Sequence, residues 1–79
     1  MEFKIGEYIK LPHMLQDKYL IIRIYGWNLE LVFYDMCYVI GEKDYYKQDY
    51  RAHPLCFLRE TIEKIGRKIS KKEIFLELI

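Results

Sequence analysis

Large apolar side chains are densest over Lys18–Ile40, and the rest of the chain reads as what covers that stretch. Tyr19–Tyr25 is rich in β-branched and aromatic residues, which fit a pleated surface. Leu20, Ile22 and Ile24 fall on one face at period two, with Tyr19, Ile21, Arg23 and Tyr25 on the other. Gly26-Trp27-Asn28 supplies turn chemistry, because Gly and Asn tolerate positive φ, and a loop of this length between two such runs predicts a hairpin. The returning strand then places Leu29, Leu31 and Phe33 inward, and Glu30, Val32 and Tyr34 outward. It runs on to Ile40, and strict alternation would turn the Asp35 carboxylate inward, which is costly. A bulge near Asp35 that flips the following side chains removes the conflict.

Glu2–Leu11 alternates on either side of Gly6, which marks a bulge, and predicts an edge strand stopped by Pro12. His13–Asp17 reads as the connecting loop, Gly41–Asp44 as a turn, and Tyr45–Arg51 as an edge strand too polar for a sheet centre. From Pro54 the period changes. Leu55, Leu58, Ile62, Ile65 and Ile69 recur at helical spacing, which predicts one amphipathic helix opened by Pro54, with Glu60 and Lys64 paired at i,i+4 and Gly66 weakening its last turn. Ser70-Lys71-Lys72-Glu73 has the capping-box pattern, so a second short helix is predicted over Lys71–Leu78, although Glu73–Ile79 also alternates as a strand would.

Strands first and helix last predict a single α+β domain over residues 1–79: a small antiparallel β-meander of three to four strands covered by the C-terminal amphipathic helix. A small SH3-like barrel with a C-terminal helix is the alternative architecture. The expected core is Leu20, Ile22, Ile24, Leu31 and Phe33 under Leu58, Ile62 and Ile65. One helix covers one face, so Ile21 and Val32 are expected on a second face that lacks cover within the chain.

Composition sharpens this picture in two places. A hydrophobic fraction of 52% with 16% aromatic residues fits a folded chain, not a disordered one. The net charge of +1 conceals a +3 balance over residues 64–79 against −2 over the remainder. Lys64, Arg67, Lys68, Lys71 and Lys72 supply that basic segment, and basic side chains of this kind neutralise phosphates, so nucleic acid is the alternative partner. The opening MEFKIGEYIKLP lacks the apolar run of a signal peptide, and no stretch is apolar for long enough to span a bilayer, so the expected compartment is the cytoplasm, with no membrane partner. Few Asn and Gln beside many Lys and Glu is a thermophile tendency. In that setting Cys37 and Cys56 come into question as a disulfide; in an ordinary cytosol they stay reduced.

Candidate chemistry is sparse. His13 and His53 are far apart in sequence, and Ser70 and Thr61 are the sole Ser and Thr. Cys56 and His53 have the residue types of a thiolate pair, but a buried Cys beside a His at a helix start is the commoner arrangement. Cys37, Cys56, His13 and His53 are zinc-ligand types without a close-spaced pair. The expectation is a non-enzymatic protein with no cofactor and no metal. Tyr19, Tyr25, Trp27, Tyr34, Tyr46 and Tyr50 fall on predicted outward faces, the loop or an edge, and Tyr and Trp dominate interface hot spots. A protein partner is therefore the leading expectation, with a second copy of the chain, a homodimer, first among them. A small motif-free chain also fits the size class of a viral regulator of a host protein.

Overall fold

The computed structural model describes residues 3–12, 18–41 and 45–78. It is an α+β arrangement of one antiparallel sheet and two short helices, in the order β1 (Tyr8–Pro12), β2 (Tyr19–Trp27), β3 (Leu31–Ile40), β4 (Tyr45–Asp49), β5 (Leu55–Leu58), α1 (Arg59–Ile65), β6 (Arg67–Ile69) and α2 (Lys71–Leu78). The strands lie in the order β4-β3-β2-β1-β6, and β5 adds to β3. The His13–Asp17 loop, with His13 as a candidate ligand, and the Glu42–Asp44 part of the turn lie outside the described residues.

The Asp35 conflict is resolved by a bulge. Arg23 pairs with Met36 and Ile24 with Tyr34, which leaves Asp35 extra; Gly26 then pairs with Phe33, which leaves Tyr25 extra. Each extra residue shifts side-chain parity, so Val32 and Tyr34 before the bulge share a face with Cys37 and Val39 after it. The freed Asp35 carboxylate takes a bidentate pair from Arg23, with Nε–H donating at 2.8 Å and Nη2–H at 2.9 Å. Its backbone carbonyl accepts from the Tyr50 amide at 2.8 Å. The bulge also divides β3 between two neighbours: Met36–Ile40 pairs with β4, and Leu31–Tyr34 pairs with β5.

This parity corrects the expected inner face. Ile22, Ile24 and Ile62 are buried as predicted, but they pack with Ile9, Leu11, Val32 and Tyr34, not with Leu31, Phe33 and Leu58. The turn falls later than expected, at Leu29–Glu30, because the Asn28 side-chain oxygen accepts the amides of Glu30 at 2.9 Å and Leu31 at 2.7 Å. Leu29 is left 91% exposed at its tip.

Two further expectations are overturned. The predicted edge strand is interior: β1 pairs with β2 on one side and β6 on the other. Gly6 lies just before it at φ 89, and its amide donates to the Ile24 carbonyl at 2.8 Å. The predicted Leu55–Ile69 helix is instead β5, α1 and β6, with Leu55, Leu58 and Ile65 exposed and Ile62 and Ile69 buried. Gly66 ends α1, its amide donating to the Ile62 carbonyl at 2.8 Å. A Cβ there would meet that oxygen at 2.5 Å and Ile9 Cγ2 at 2.9 Å, so the close approach of α1 to β1 requires glycine. The i,i+4 ion pair on α1 joins Arg59 to Glu63.

The second helix is present and covers the face expected to lie open. Ser70 caps it, its Oγ accepting the Glu73 amide at 3.2 Å. Ile74 packs with Ile21, Ile40 and Ile69 in a second core, flanked by Tyr8, Tyr19, Tyr38 and Leu78. Glu77 clamps the helix to the sheet, accepting from Lys10 Nζ at 2.9 Å and from the Tyr19 hydroxyl. Burial, then that hydroxyl's bond to Glu77, pushes Tyr19 up to about 12, and the same bond and Lys10 hold the Glu77 carboxyl below its ordinary value. Among the described residues no helix is long and apolar enough to cross a membrane.

Candidate functional site

The sheet is thus covered on its inner face by α1 and on part of its outer face by α2. What neither helix covers follows from strand register. Residues opposed across an antiparallel pair share a face. Leu31 opposes Leu58, Phe33 opposes Cys56, and Phe33 also opposes Gly26 on its other side. Val32 and its β5 partner Phe57 face the inner core, where Phe57 stacks on Tyr34 with ring centroids 5.2 Å apart. Leu31, Phe33, Cys56 and Leu58 therefore point to the outer face, on the side of the Asp35 bulge away from α2. They belong to neither core; Leu58 is 60% exposed, Cys56 is exposed, and Leu31 and Phe33 are half-buried. A Cβ at Gly26, at the end of the same row, would touch nothing within 4 Å, so the strip is open there too. At its tip Leu29 and Leu58, with Glu30 and Glu60, line a shallow hollow of about 260 Å³.

Among the described residues β5 pairs with β3 alone, so the strip ends at its open edge, and the sheet's edges differ sharply in character. The β4 edge carries Lys47, Gln48 and Asp49, and β6 carries Arg67 and Lys68. Such charges discourage another strand from pairing. The β5 edge, Leu-Cys-Phe-Leu, carries none.

The predicted aromatic set is dispersed. Tyr34 is corrected from outward to inward: it is only 8% exposed, and burial pushes its hydroxyl up to about 12. Tyr50 is half-buried and meets Tyr34 edge-on at 5.9 Å. Tyr19 is half-buried in the second core. Tyr25, Trp27 and Tyr46 are exposed, on β2 and β4, and do not adjoin one another in the sheet register. The basic set is partly neutralised, with Lys68 Nζ 3.7 Å from Glu7 and Arg67 3.6 Å from Glu73, while Lys64, Lys71 and Lys72 are exposed. Cys37 is buried and Cys56 exposed, and they form no disulfide. Burial pushes the Cys37 thiol up to about 11.

Leu31, Phe33 and Leu58 were legible as apolar but assigned to the core. The signal that re-places them is the bulge: once Cys37 and Val39 are inward, a parity shift at Asp35 puts Val32 and Tyr34 inward and Leu31 and Phe33 out. Comparison with protein-family models, curated proteins and solved structures gives no match.

Proposed function

We propose that this chain is a non-enzymatic protein-interaction module that docks partners on the outer strip Leu31, Phe33, Cys56 and Leu58, with Leu29 at its tip. The observation that carries the reading is an apolar strip left outside both cores and continuous with an uncharged strand edge. Contiguous exposed apolar surface on a small domain marks an interaction site. Beta-strand addition to such an edge supplies main-chain hydrogen bonds, and the adjoining side chains supply selectivity. The acidic pairing of Arg67 and Lys68 weighs against the basic segment as a phosphate surface, since each carboxylate cancels charge that counterion release needs.

Leu58→Asp tests the reading. Leu58 is the N-cap of α1 without a side-chain cap bond, and Asp is a favoured N-cap, so the variant keeps or gains stability while placing a charge on the strip. Partners cross-linked to the wild-type chain are expected to be lost with Leu58→Asp, at a melting temperature no lower than wild type. Equal capture by both chains overturns the docking surface.

A further inference from the structure

We propose that one partner is a second copy of this chain, and that the two copies join by antiparallel pairing of β5 with β5 about a two-fold axis through Cys56. The inference rests on the outer strip being a docking surface, and it follows from which backbone groups of β5 are free. The Arg59 amide donates to the Glu30 carbonyl at 2.8 Å, which continues the β3–β5 register by one pair. Antiparallel ladders alternate hydrogen-bonded and non-hydrogen-bonded pairs. Val32:Phe57 and Tyr34:Leu55 are therefore hydrogen-bonded, and Cys56 and Leu58 direct their backbone groups away from β3, to the open edge.

One self-pairing register uses those groups without sharing an acceptor already engaged by α1. With Cys56 opposite Cys56, each copy's Cys56 amide meets the other's Cys56 carbonyl. Leu58 then lies opposite Pro54 of the other copy, and the Leu58 amide meets the Pro54 carbonyl. The reverse bond is not needed at either end: Pro54 has no N–H to donate, and the Leu58 carbonyl, at the N-cap, receives the first hydrogen bond of α1. The alternative with Cys56 opposite Leu58 would ask that same carbonyl to accept twice.

Charge does not oppose the antiparallel sense: Arg51 before β5 is paired with Asp49, and Glu63 after it with Arg59, so neither end of the strand brings an uncompensated like charge against the other copy. The pairing also joins the two outer strips, placing Phe33 and Cys56 of one copy beside Cys56 and Phe33 of the other. A contact through a strand this short falls below the ~1,200 Å² lower bound of standard interfaces, so association belongs at high chain concentration.

Sedimentation equilibrium from micromolar to millimolar chain, in reductant, is expected to show a monomer–dimer equilibrium. Cys56→Lys, a change at an exposed edge position, sets two like charges opposite one another and should raise the dissociation constant at least tenfold without changing the melting temperature. Register is read by cross-linking. Diamide accepts two electrons and two protons from two thiols as their S–S bond forms. Cys37→Ser, which retains Cys56, should cross-link at least tenfold faster than Cys37→Ser/Cys56→Ser carrying either Leu55→Cys or Leu58→Cys, whose thiols do not face their own copies. A strict monomer overturns the self-pairing, and so does a dimer with equal cross-linking at all three positions. If the monomer still captures a partner that Leu58→Asp loses, the docking surface stands and only its occupancy by a second copy fails.

Discussion

Replacing Gly66, Gly6 and Gly26 by alanine makes one chemical change in three environments, and the structure assigns each a different outcome. At Gly66 the new methyl would sit 2.5 Å from the Ile62 carbonyl oxygen and 2.9 Å from Ile9 Cγ2. Neither neighbour has room to yield. The oxygen accepts the Gly66 amide, so withdrawing it gives up a hydrogen bond worth about 0.5–1.5 kcal/mol. Ile9 is wholly buried in a close-packed core, and forcing a methyl against it costs about 1–3 kcal/mol. The two together predict a loss of about 2–4 kcal/mol, a large share of the ~5–15 kcal/mol that holds a small domain folded. Gly6 has open space but lies at φ 89, so Gly6→Ala should cost about 1–2 kcal/mol through backbone strain alone. Gly26 has open space and no positive φ, so Gly26→Ala should be neutral or stabilising by up to ~1 kcal/mol. Urea unfolding at constant slope reads all three, and thermal melting should move by about 4–8 °C per kcal/mol. A Gly66→Ala loss below about 0.5 kcal/mol, or one equal to that at Gly26, refutes the placement of α1 against β1.

Asp35→Asn should cost about 1.5–3 kcal/mol by removing the charge-assisted pair to Arg23, and a urea midpoint within error of wild type sinks that role. In the native chain at low concentration, a thiol reagent should label Cys56 at once and Cys37 only on unfolding; comparable rates would place Cys37 outside the core. Glu77 has a depressed folded pKa, so its contribution is present above the ordinary value of 4.5 and is lost as pH falls through the lower folded value. Hydrogen exchange should therefore show α2 loosening in acid, and Glu77→Gln should flatten that acid limb; identical acid profiles remove the clamp.

The meander was readable because β-branched alternation over Tyr19–Tyr25 and the cost of burying Asp35 are local facts. Face assignment failed one step later. Leu29, Leu31 and Phe33 form a more apolar triad than Val32 and Tyr34, and nothing within the triad shows that the parity shifts at Asp35 and Tyr25 turn the other set toward Ile22 and Ile24. The segment from Leu55 to Ile69 failed for a different reason. Its spacing fits a helix, but Leu55–Leu58 finds a strand partner in Leu31–Tyr34, and Arg67–Ile69 finds one in Tyr8–Lys10. Those partners lie far away in sequence, and no pattern within the segment announces them. The short C-terminal helix was legible because Ser70 and Glu73 cap it locally. The docking strip was not, since being apolar and being uncovered are properties of different levels of structure.

The pairing of β6 with β1 makes the second core depend on the end of the chain. The inner core joins β1, β2, β3 and α1, and all of its members precede Arg67 in the chain. The outer core needs Ile69 and Ile74, so Ile21 and Ile40 stay wet until the last stretch docks. Its strand contact spans almost the whole chain, and contacts of such separation form slowly because a long loop must close first. Without Arg67–Leu78 the sheet is half covered: its bare face carries Ile21 and Ile40, and its β1 edge lacks its neighbour. A chain cleaved or stalled before Arg67 would be held in that form, with the sticky surface that drives aggregation of folding intermediates.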